Sequence, residues 1–145
     1  NAQSPPLVFI ALATFNGAAF LREQLASIAA QDYVAWVLLW RDDGSSDATV
    51  DVLRDFAACR PQGQVTEVAG PLGRIGAAAS FMVLLGEAAR RMAPGDGFAF
   101  ADQDDVWLPC KLSRAVATVA ACDPAVPTLY SARQVLVDAQ LRRLA

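Results

Sequence analysis

The chain has 145 residues, of which 54% are hydrophobic and 19% charged, and its formal net charge is −3. This length and composition predict one folded domain with a sizeable core and exclude a disordered chain. The slightly negative net charge does not indicate a basic, nucleic-acid-binding surface, so no nucleic-acid partner is expected. The sequence contains no histidine, which excludes a Ser-His-Asp triad, a histidine-ligated zinc ion and a histidine general base.

The cysteines, the apolar segments and the start of the sequence bear on the cellular compartment of the protein. Three cysteines without CxxC spacing are typical of reduced thiols in a cytoplasmic protein. No apolar run reaches membrane-spanning length, because Gly86 and Glu87 interrupt the longest one, and no signal peptide is recognisable. Residues 1–6 are interpreted as a tail with the remnant of an expression tag, since the sequence begins without Met.

The first half of the chain predicts two strand–helix units. Residues 7–13 and 35–40 are apolar on both faces, which is typical of central strands of a parallel sheet. Each is followed by a helical pattern, and Asn16 and Asp47 are predicted to be the N-caps of the two helices. The predicted core positions are Leu21, Leu25 and Ile28 in the first helix and Val50, Leu53, Phe56 and Ala57 in the second.

The second half continues the alternation. Residues 65–68 alternate apolar and polar side chains, which predicts a strand at the edge of the sheet. A glycine-rich loop follows at residues 70–76, and a short buried strand is predicted at residues 98–101 between two further helices. Residues 128–132 and 135–138 are predicted strands of a mixed part of the sheet. The predicted core positions of the two helices are Phe81, Leu84, Leu85, Ala88, Leu112, Val116 and Val119.

This order of elements predicts a fold class. Four strand–helix units in succession indicate an α/β protein with a doubly wound, mostly parallel sheet in a three-layer α/β/α arrangement.

Aspartates are concentrated in two short windows, residues 42–47 and 102–105. Both windows follow a predicted buried strand, so both lie at the carboxyl edge of the sheet, where open α/β folds bind ligands. Carboxylates that close together repel one another, and a bound Mg²⁺ or Mn²⁺ is the simplest compensation, because these ions prefer oxygen ligands. The alternative is a solvated acidic turn that caps the next helix.

Two common nucleotide-binding motifs are absent. The first strand–helix turn contains only Gly17 and not G-x-G-x-x-G, and the glycines at residues 70–76 have the wrong spacing for that motif. No Gly-Lys-Ser/Thr occurs, so a P-loop is excluded. An acidic site suited to a metal and a diphosphate remains.

Four segments together resemble a known family. In chain order they are LVFIALATFNGAAFLREQLASIAAQ, RDDGSSDATVDVL, GRIGAAASFMVLL and FAFADQDDVWLPCKL. They resemble the family 2 glycosyltransferases of the GT-A fold, in particular the bacterial rhamnosyltransferase-like branch. The resemblance covers residues 7–112 in order and spacing, which is far more specific than a DxD motif alone.

The resemblance implies roles for the acidic residues. Asp102 and Asp104 match the DxD pair, with Asp104 as the direct metal ligand and Asp102 near the ribose or the metal. Asp43 matches the carboxylate that binds the nucleobase. A carboxylate can accept the imide N–H of uracil or thymine, which favours UDP or dTDP.

The resemblance also implies nucleotide contacts from two loops. Thr14, Phe15 and Asn16 match a turn that lies along the nucleoside, and Arg74 matches a loop position that can reach the nucleotide. Structural alternatives stay open for several of these residues, since Phe15 could be part of the core and Arg74 a solvated loop cation. Trp107 could equally pack beneath the acidic loop or touch a sugar.

The implied function is inverting transfer of a sugar, with rhamnose as one option, from a nucleotide diphosphate donor to a cell-surface polysaccharide precursor. The acceptor would be a glycan or a lipid-linked glycan, and the protein would be cytoplasmic, with peripheral association at the inner face of the membrane left open. The general base is expected beyond residue 145, so residues 7–145 would be the donor-binding portion of a longer transferase. The alternatives are a non-catalytic nucleotide-sugar-binding domain and a metal-dependent phosphohydrolase.

Overall fold

The computed structural model describes residues 4–71 and 73–144. Strands and helices alternate through this part of the chain, as the sequence predicts. They are β1 (Val8–Thr14), α1 (Ala18–Ala29), β2 (Trp36–Asp42), α2 (Thr49–Ala58), β3 (Val65–Glu67), α3 (Ala77–Arg91), β4 (Gly97–Ala101) and α4 (Lys111–Ala120).

The four strands form one parallel sheet in the order β3-β2-β1-β4. β1 lies between β2 and β4, with Val8 opposite both Trp36 and Gly97. The chain therefore winds in one direction from β1 to β3 and then returns to place β4 on the other side of β1. This reversal puts a crevice at the carboxyl ends of β1 and β4, the position where open α/β sheets bind ligands.

Helices cover both faces of the sheet, which confirms the three-layer prediction. One face of β1 and β2 packs against α1, α2 and α4. The opposite face packs against α3. Alternate side chains of β1 therefore enter different cores, which explains why the whole strand is apolar. The buried members of the first core include Ile10, Leu12, Leu21, Leu38, Trp40, Leu53 and Leu112, and those of the second include Phe9, Ala11, Leu39, Leu84 and Ala88.

The predicted edge strand is confirmed, because β3 is at one end of the strand order. The strand predicted at residues 98–101 is confirmed as β4, but the prediction that it is buried is wrong for all but Ala101, since β4 is at the other end of the sheet. Ala101 is buried, but 53% of Phe100 is exposed. Among the described strands β4 has only β1 as a neighbour, so no described strand pairs with its outer edge.

The two strands predicted at residues 128–132 and 135–138 are not present. Apart from an isolated antiparallel bridge between Val137 and Arg143, this region of the described chain pairs with no strand. Its apolar side chains are exposed, with Leu129 91% exposed. Residues 128–138 therefore lack the neighbouring strand and the covering layer that stabilise a strand. In α4, Val119 is likewise 41% exposed rather than part of the core.

Some expectations concern residues that the structure does not describe. Residues 1–3 of the predicted tail, Leu72 of the glycine-rich loop and Ala145 lie outside the described ranges. None of the described helices combines the length and the apolar character required to cross a bilayer.

Candidate functional site

A cleft of about 270 Å³ lies at the carboxyl ends of β1, β2 and β4. It is bounded by the loops that follow these strands and by the first turns of α3. Of the residues singled out in the sequence, those lining it are Thr14, Phe15, Asp43, Arg74, Asp102 and Asp104. The structure thus brings together residues that are up to 90 positions apart in the chain, because parallel strands end at the same edge.

Asp42 shapes the loop that follows β2. Its Oδ2 accepts hydrogen bonds from the main-chain N–H groups of Gly44 (3.0 Å) and Ser45 (2.7 Å). Its Oδ1 accepts hydrogen bonds from the hydroxyls of Thr14 (2.9 Å) and Ser45 (2.6 Å). The Thr14 hydroxyl is therefore occupied within the protein, and Asp42 ties the end of β1 to the turn after β2.

Asp43 is buried, with 4% of its surface exposed, and it holds the glycine-rich loop. Its Oδ1 accepts the N–H of Ile75 and its Oδ2 accepts the N–H of Gly76, both at 2.8 Å. The hydrogen bond from Ile75 is the largest of the contributions that hold the pKa of Asp43 below its ordinary value, with those from Gly76 and Arg41 also lowering it. Asp43 is therefore an anion at neutral pH and an acceptor at the base of the cleft.

Arg41 is a site residue that the sequence analysis did not single out. It is 6% exposed, and its Nη1 donates to Asp43 Oδ1 at 3.1 Å and to Ser80 Oγ at 2.8 Å. Its Nη2 donates to the carbonyl oxygen of Pro71 at 3.2 Å. Arg41 thus joins β2, α3 and the glycine-rich loop. A charged residue inside an otherwise apolar strand next to two aspartates was the available signal.

The predicted N-caps are both displaced. α1 begins after Gly17, and Asn16, in a left-handed conformation with φ of 47°, accepts the N–H of Ser46 instead. Asn16 accordingly lies outside the cleft lining. The residue at the N-cap of α2 is Ala48, one position later than predicted.

Asp47 nevertheless serves both helix starts. Its Oδ1 accepts the N–H of Thr49 at 3.0 Å, and its Oδ2 accepts the N–H of Ala18 at 3.1 Å. The hydrogen bond from the Thr49 hydroxyl is the main cause of the lowered pKa of Asp47. The carboxylate therefore satisfies free N–H groups at the first turn of α2 and at the first turn of α1.

Phe15 and Arg74 form one wall of the cleft. The guanidinium carbon of Arg74 lies 3.6 Å from the centroid of the Phe15 ring, a cation–π arrangement. Arg74 Nε is also 3.8 Å from Asp43 Oδ2, and the side chain is 65% exposed. Phe15 is therefore a wall of the cleft rather than a core residue, and Arg74 is a cation held at its mouth.

Gln103, between the two DxD aspartates, was also missed. Its side-chain amide accepts the N–H of Phe15 at 2.9 Å and donates to the Phe15 carbonyl oxygen at 3.1 Å. A Cβ added to Gly17 would lie 2.2 Å from Gln103 Oε1, so glycine at this position makes room for the amide. The acidic loop is thereby fastened to the turn after β1.

Asp102 and Asp104 are exposed at the cleft, and Asp105 is partly buried behind them. Burial is the main cause that raises the pKa of Asp105, and repulsion from Asp102 and Asp104 adds to it. Within the described ranges, no three His, Cys, Asp or Glu side chains form a group that could hold a metal ion by themselves. A cation here would need oxygen ligands from a bound phosphate, which is the usual way in which Mg²⁺ is held.

Trp107 packs beneath the acidic loop rather than in the cleft. It is 5% exposed and belongs to the core formed with α1, α2 and α4. Lys111 lies over its ring, with Nζ 5.0 Å from the centroid. Of the two interpretations left open by the sequence, the structure supports the packing role.

An open parallel sheet with a polar cleft at its switch point is the architecture of nucleotide-binding α/β domains. The family profile described as "Glycosyl transferase family 2" matches residues 9–144. The chain belongs to this glycosyltransferase family, as its sequence motifs predict.

Curated relatives agree with this assignment. The chain is 29% identical over 106 residues to the dTDP-rhamnosyl transferase RfbG of Shigella flexneri, covering 72% of this chain and 35% of that protein. It is 32% identical over 106 residues to the UDP-Glc:alpha-D-GlcNAc-diphosphoundecaprenol beta-1,3-glucosyltransferase WfgD of Escherichia coli, covering 73% of this chain and 38% of that protein. The chain thus spans little more than a third of the length of these relatives.

Solved structures show the same fold. The mannosyltransferase PcManGT from Pyrobaculum calidifontis, in complex with GDP-Man and Mn²⁺, superposes with a TM-score of 0.67 at 28% identity, covering 85% of this chain and 34% of that one. Residues 1–349 of S. aureus TarS in complex with UDP-GlcNAc superpose with a TM-score of 0.64 at 22% identity, covering 78% and 31%. The fold is therefore GT-A, as predicted.

Proposed function

We propose that the cleft binds a UDP- or dTDP-linked sugar together with Mg²⁺ or Mn²⁺, and that the chain is the donor-binding part of an inverting glycosyltransferase. The observation that carries this proposal is the convergence of Asp43, Asp102 and Asp104 on one cleft at the switch point of the sheet. The names of two relatives, a dTDP-rhamnosyl transferase and a UDP-glucose-dependent glucosyltransferase, support these donors.

Asp43 is proposed to accept the imide N–H of the nucleobase. A carboxylate has about four acceptor directions, and the described contacts under 3.5 Å use three of them, from Ile75, Gly76 and Arg41. The remaining direction is on Oδ2, and Asp43 lines the cleft. Because the other donors fix the carboxylate rigidly, the base would meet a preorganised acceptor. Phe15 and Thr14 would lie along the nucleoside.

Asp102 and Asp104 are proposed to share a divalent cation with the donor diphosphate, with Asp104 as the direct ligand. Two exposed carboxylates at the cleft fit this arrangement, since the phosphates and water supply the other oxygens. When bound, the cation would neutralise charge on the departing diphosphate. Burial is the main cause that raises the pKa of neighbouring Asp105, and the negative charges of Asp102 and Asp104 add to it.

Inversion requires a general base beside the acceptor hydroxyl, and we assign none within this chain. Asp138 is unsuited to the role. Its Oδ1 accepts the N–H groups of Gln140 and Arg142, and its Oδ2 accepts Arg142 Nε at 2.7 Å. The hydrogen bond from the Arg142 main chain is the main cause that lowers the pKa of Asp138, so this carboxylate is a weak base.

The acceptor is proposed to be a lipid-linked precursor of a cell-surface glycan, reached at the cytoplasmic face of the membrane. Support comes from the diphosphoundecaprenol-linked acceptor in the name of one relative and from the free thiols of Cys59, Cys110 and Cys122. Co-sedimentation with vesicles that contain or lack a polyprenyl-diphosphate saccharide tests this setting, and equal binding to both would count against it.

Titration calorimetry tests the donor site. UDP should bind to the wild-type chain more tightly with Mn²⁺ than with EDTA, and Asp104→Asn should abolish that gain. Asp55→Asn is the matched control, because Asp55 is exposed on α2 and does not line the cleft, and it should retain the gain. Equal affinity of wild-type protein with and without Mn²⁺ would refute the metal-dependent donor site. Hydrolysis of a UDP-sugar to UMP and a sugar 1-phosphate, without transfer, would instead identify a phosphohydrolase.

A further inference from the structure

α1 carries a stripe of buried polar side chains toward the acidic loop (residues 102–105) and the residues that follow it. Gln24 and Ser27 lie on α1, and Gln31 lies just beyond its C-cap, so the spacing of three and four residues keeps all three on one face. They are 0%, 8% and 4% exposed. Burying an amide or hydroxyl is unfavourable unless it is hydrogen-bonded, so the partners of these groups indicate what the stripe is for.

All three side chains bond to the main chain that follows β4. Gln24 Nε2 donates to the Asp102 carbonyl oxygen at 2.9 Å, and Ser27 Oγ accepts the N–H of Trp107 at 3.0 Å. Gln31 Nε2 donates to the carbonyl oxygen of Leu108 at 2.9 Å. Its Oε1 accepts the N–H of Leu112 at 3.0 Å. The segment from Asp102 to Leu112 is thus attached to α1 at its beginning, middle and end.

We propose that Gln24 is a positioning residue for the cation and the donor diphosphate, an inference that rests on the proposed function. Its amide fixes the peptide unit between Asp102 and Gln103, where β4 passes into the loop. Asp102 is one of the two proposed ligand residues, and Gln103 is in turn held by the main chain of Phe15. The orientation of this peptide decides whether the Asp102 and Asp104 carboxylates face the same point in the cleft.

Gln24 itself is held in place from the other side. Its Oε1 lies 3.0 Å from Ser27 Oγ, and the same hydroxyl is 2.7 Å from the Gln24 carbonyl oxygen. The side chain has no exposed surface, so its amide has one arrangement in which the N–H group faces Asp102. Outer partners that orient ligand groups typically change metal affinity by about 10- to 100-fold when removed.

Gln31 provides a matched control. It is the same residue type and it is also buried, but it bonds to Leu108 and to Leu112 of α4 rather than to Asp102. Replacing either glutamine by Met keeps the side-chain length and removes the hydrogen bonds. Both variants should therefore lose stability, while only Gln24→Met should misplace the acidic residues.

The experiment measures UDP affinity by titration calorimetry in Mn²⁺ and in EDTA, with urea unfolding of each variant alongside. Gln24→Met should lose about tenfold or more of the Mn²⁺-dependent gain, with its affinity in EDTA unchanged. Gln31→Met should keep the gain despite a similar fall in unfolding free energy. Gln24→Leu, which also lacks the N–H donor and is apolar, should behave like Gln24→Met and replaces it if that variant does not fold.

Two results would overturn the inference. One is an undiminished Mn²⁺-dependent gain in the Gln24 variants, which would make Gln24 a structural residue only. The other is an equal loss in Gln31→Met, which would attribute the effect to general loosening of the loop. A wild-type chain without any Mn²⁺-dependent gain would refute the proposed function itself, and it is recognised in the wild-type titration before any variant is compared.

Discussion

Gln103 pairs through its side-chain amide with both main-chain polar groups of Phe15, at 2.9 and 3.1 Å. The two residues follow β4 and β1, which are neighbours in the sheet. The amide thus joins the chain segments that follow β1 and β4, beyond the last backbone pair, Leu12 with Ala101. The acidic loop and the aromatic wall of the cleft consequently form one unit.

The first prediction concerns the space that Gly17 leaves for this amide. Gly17→Ala should destabilise the wild-type protein, because the new Cβ would lie 2.2 Å from Gln103 Oε1. Its φ of −103° is open to any residue, so backbone strain is not the cause. In a Gln103→Ala background the same substitution should cost less, with only the lower preference for alanine at the N-cap of α1 remaining. Urea unfolding of the four proteins should give a coupling of about 1 kcal/mol or more, and strict additivity would show that the contact does not constrain Gly17.

The fold could be predicted from the sequence because its signals are local. β1 and β2 are apolar on both faces since each is covered on both sides, and the helices show their buried stripes at regular spacing. The cleft residues could be grouped for a related reason, because the carboxyl ends of parallel strands share an edge. Local patterns gave the wrong burial for β4 and predicted strands at residues 128–138 that are not present. In both places burial depends on a neighbouring strand, which a local pattern does not specify.

The residues missed by the sequence analysis act across elements. Arg41, Gln103 and Gln24 each bond to main-chain groups or side chains of distant segments. Contacts between distant segments produce no regular spacing of residues in the sequence. A polar residue at an otherwise apolar position therefore does not reveal which partner it bonds to. The one usable signal was the presence of polar residues on a helix stripe or strand that is otherwise buried.

The second prediction compares a buried ion pair with an exposed one. Arg41→Met should lower the Tm by about 10 °C, because it leaves the buried Asp43 and Ser80 without a shared donor. Arg54→Met is the control, since the Arg54–Glu67 pair is 62% and 51% exposed, and it should change the unfolding free energy by less than about 0.5 kcal/mol. Similar Tm values for both variants would mean that Arg41 is dispensable for the loop.

The third prediction follows from the lowered pKa of Asp43. A carboxyl whose folded pKa is below its ordinary value of 3.8 stabilises the folded state above that value. This stabilisation is lost as the pH falls through the folded pKa. Asp43→Asn should therefore be less stable than wild type near neutral pH. The asparagine amide has one N–H₂ donor in place of a carboxylate oxygen, so it can no longer accept both N–H groups of Ile75 and Gly76. Urea unfolding between about pH 6 and pH 2.5 should show the difference narrowing with acid, whereas a constant difference would exclude Asp43 as the titrating group.

The last prediction concerns what Arg74 contributes at the mouth of the cleft. Its guanidinium lies over Phe15 and is 65% exposed, so it can leave the ring and meet a diphosphate at little cost. If its role is to hold phosphate, Arg74→Ala should weaken UDP by about tenfold and leave uridine unchanged.

Arg74→Lys distinguishes charge from stacking. A lysine retains the positive charge but lacks the planar group that packs on Phe15. It should therefore recover most of the UDP affinity if phosphate contact dominates. If instead the stack on Phe15 shapes the nucleoside pocket, both variants should weaken UDP and uridine equally, and Phe15→Leu should do the same. Fluorescence or calorimetric titration of both ligands against the three variants separates these outcomes, because only a phosphate contact changes the ratio of the UDP and uridine affinities.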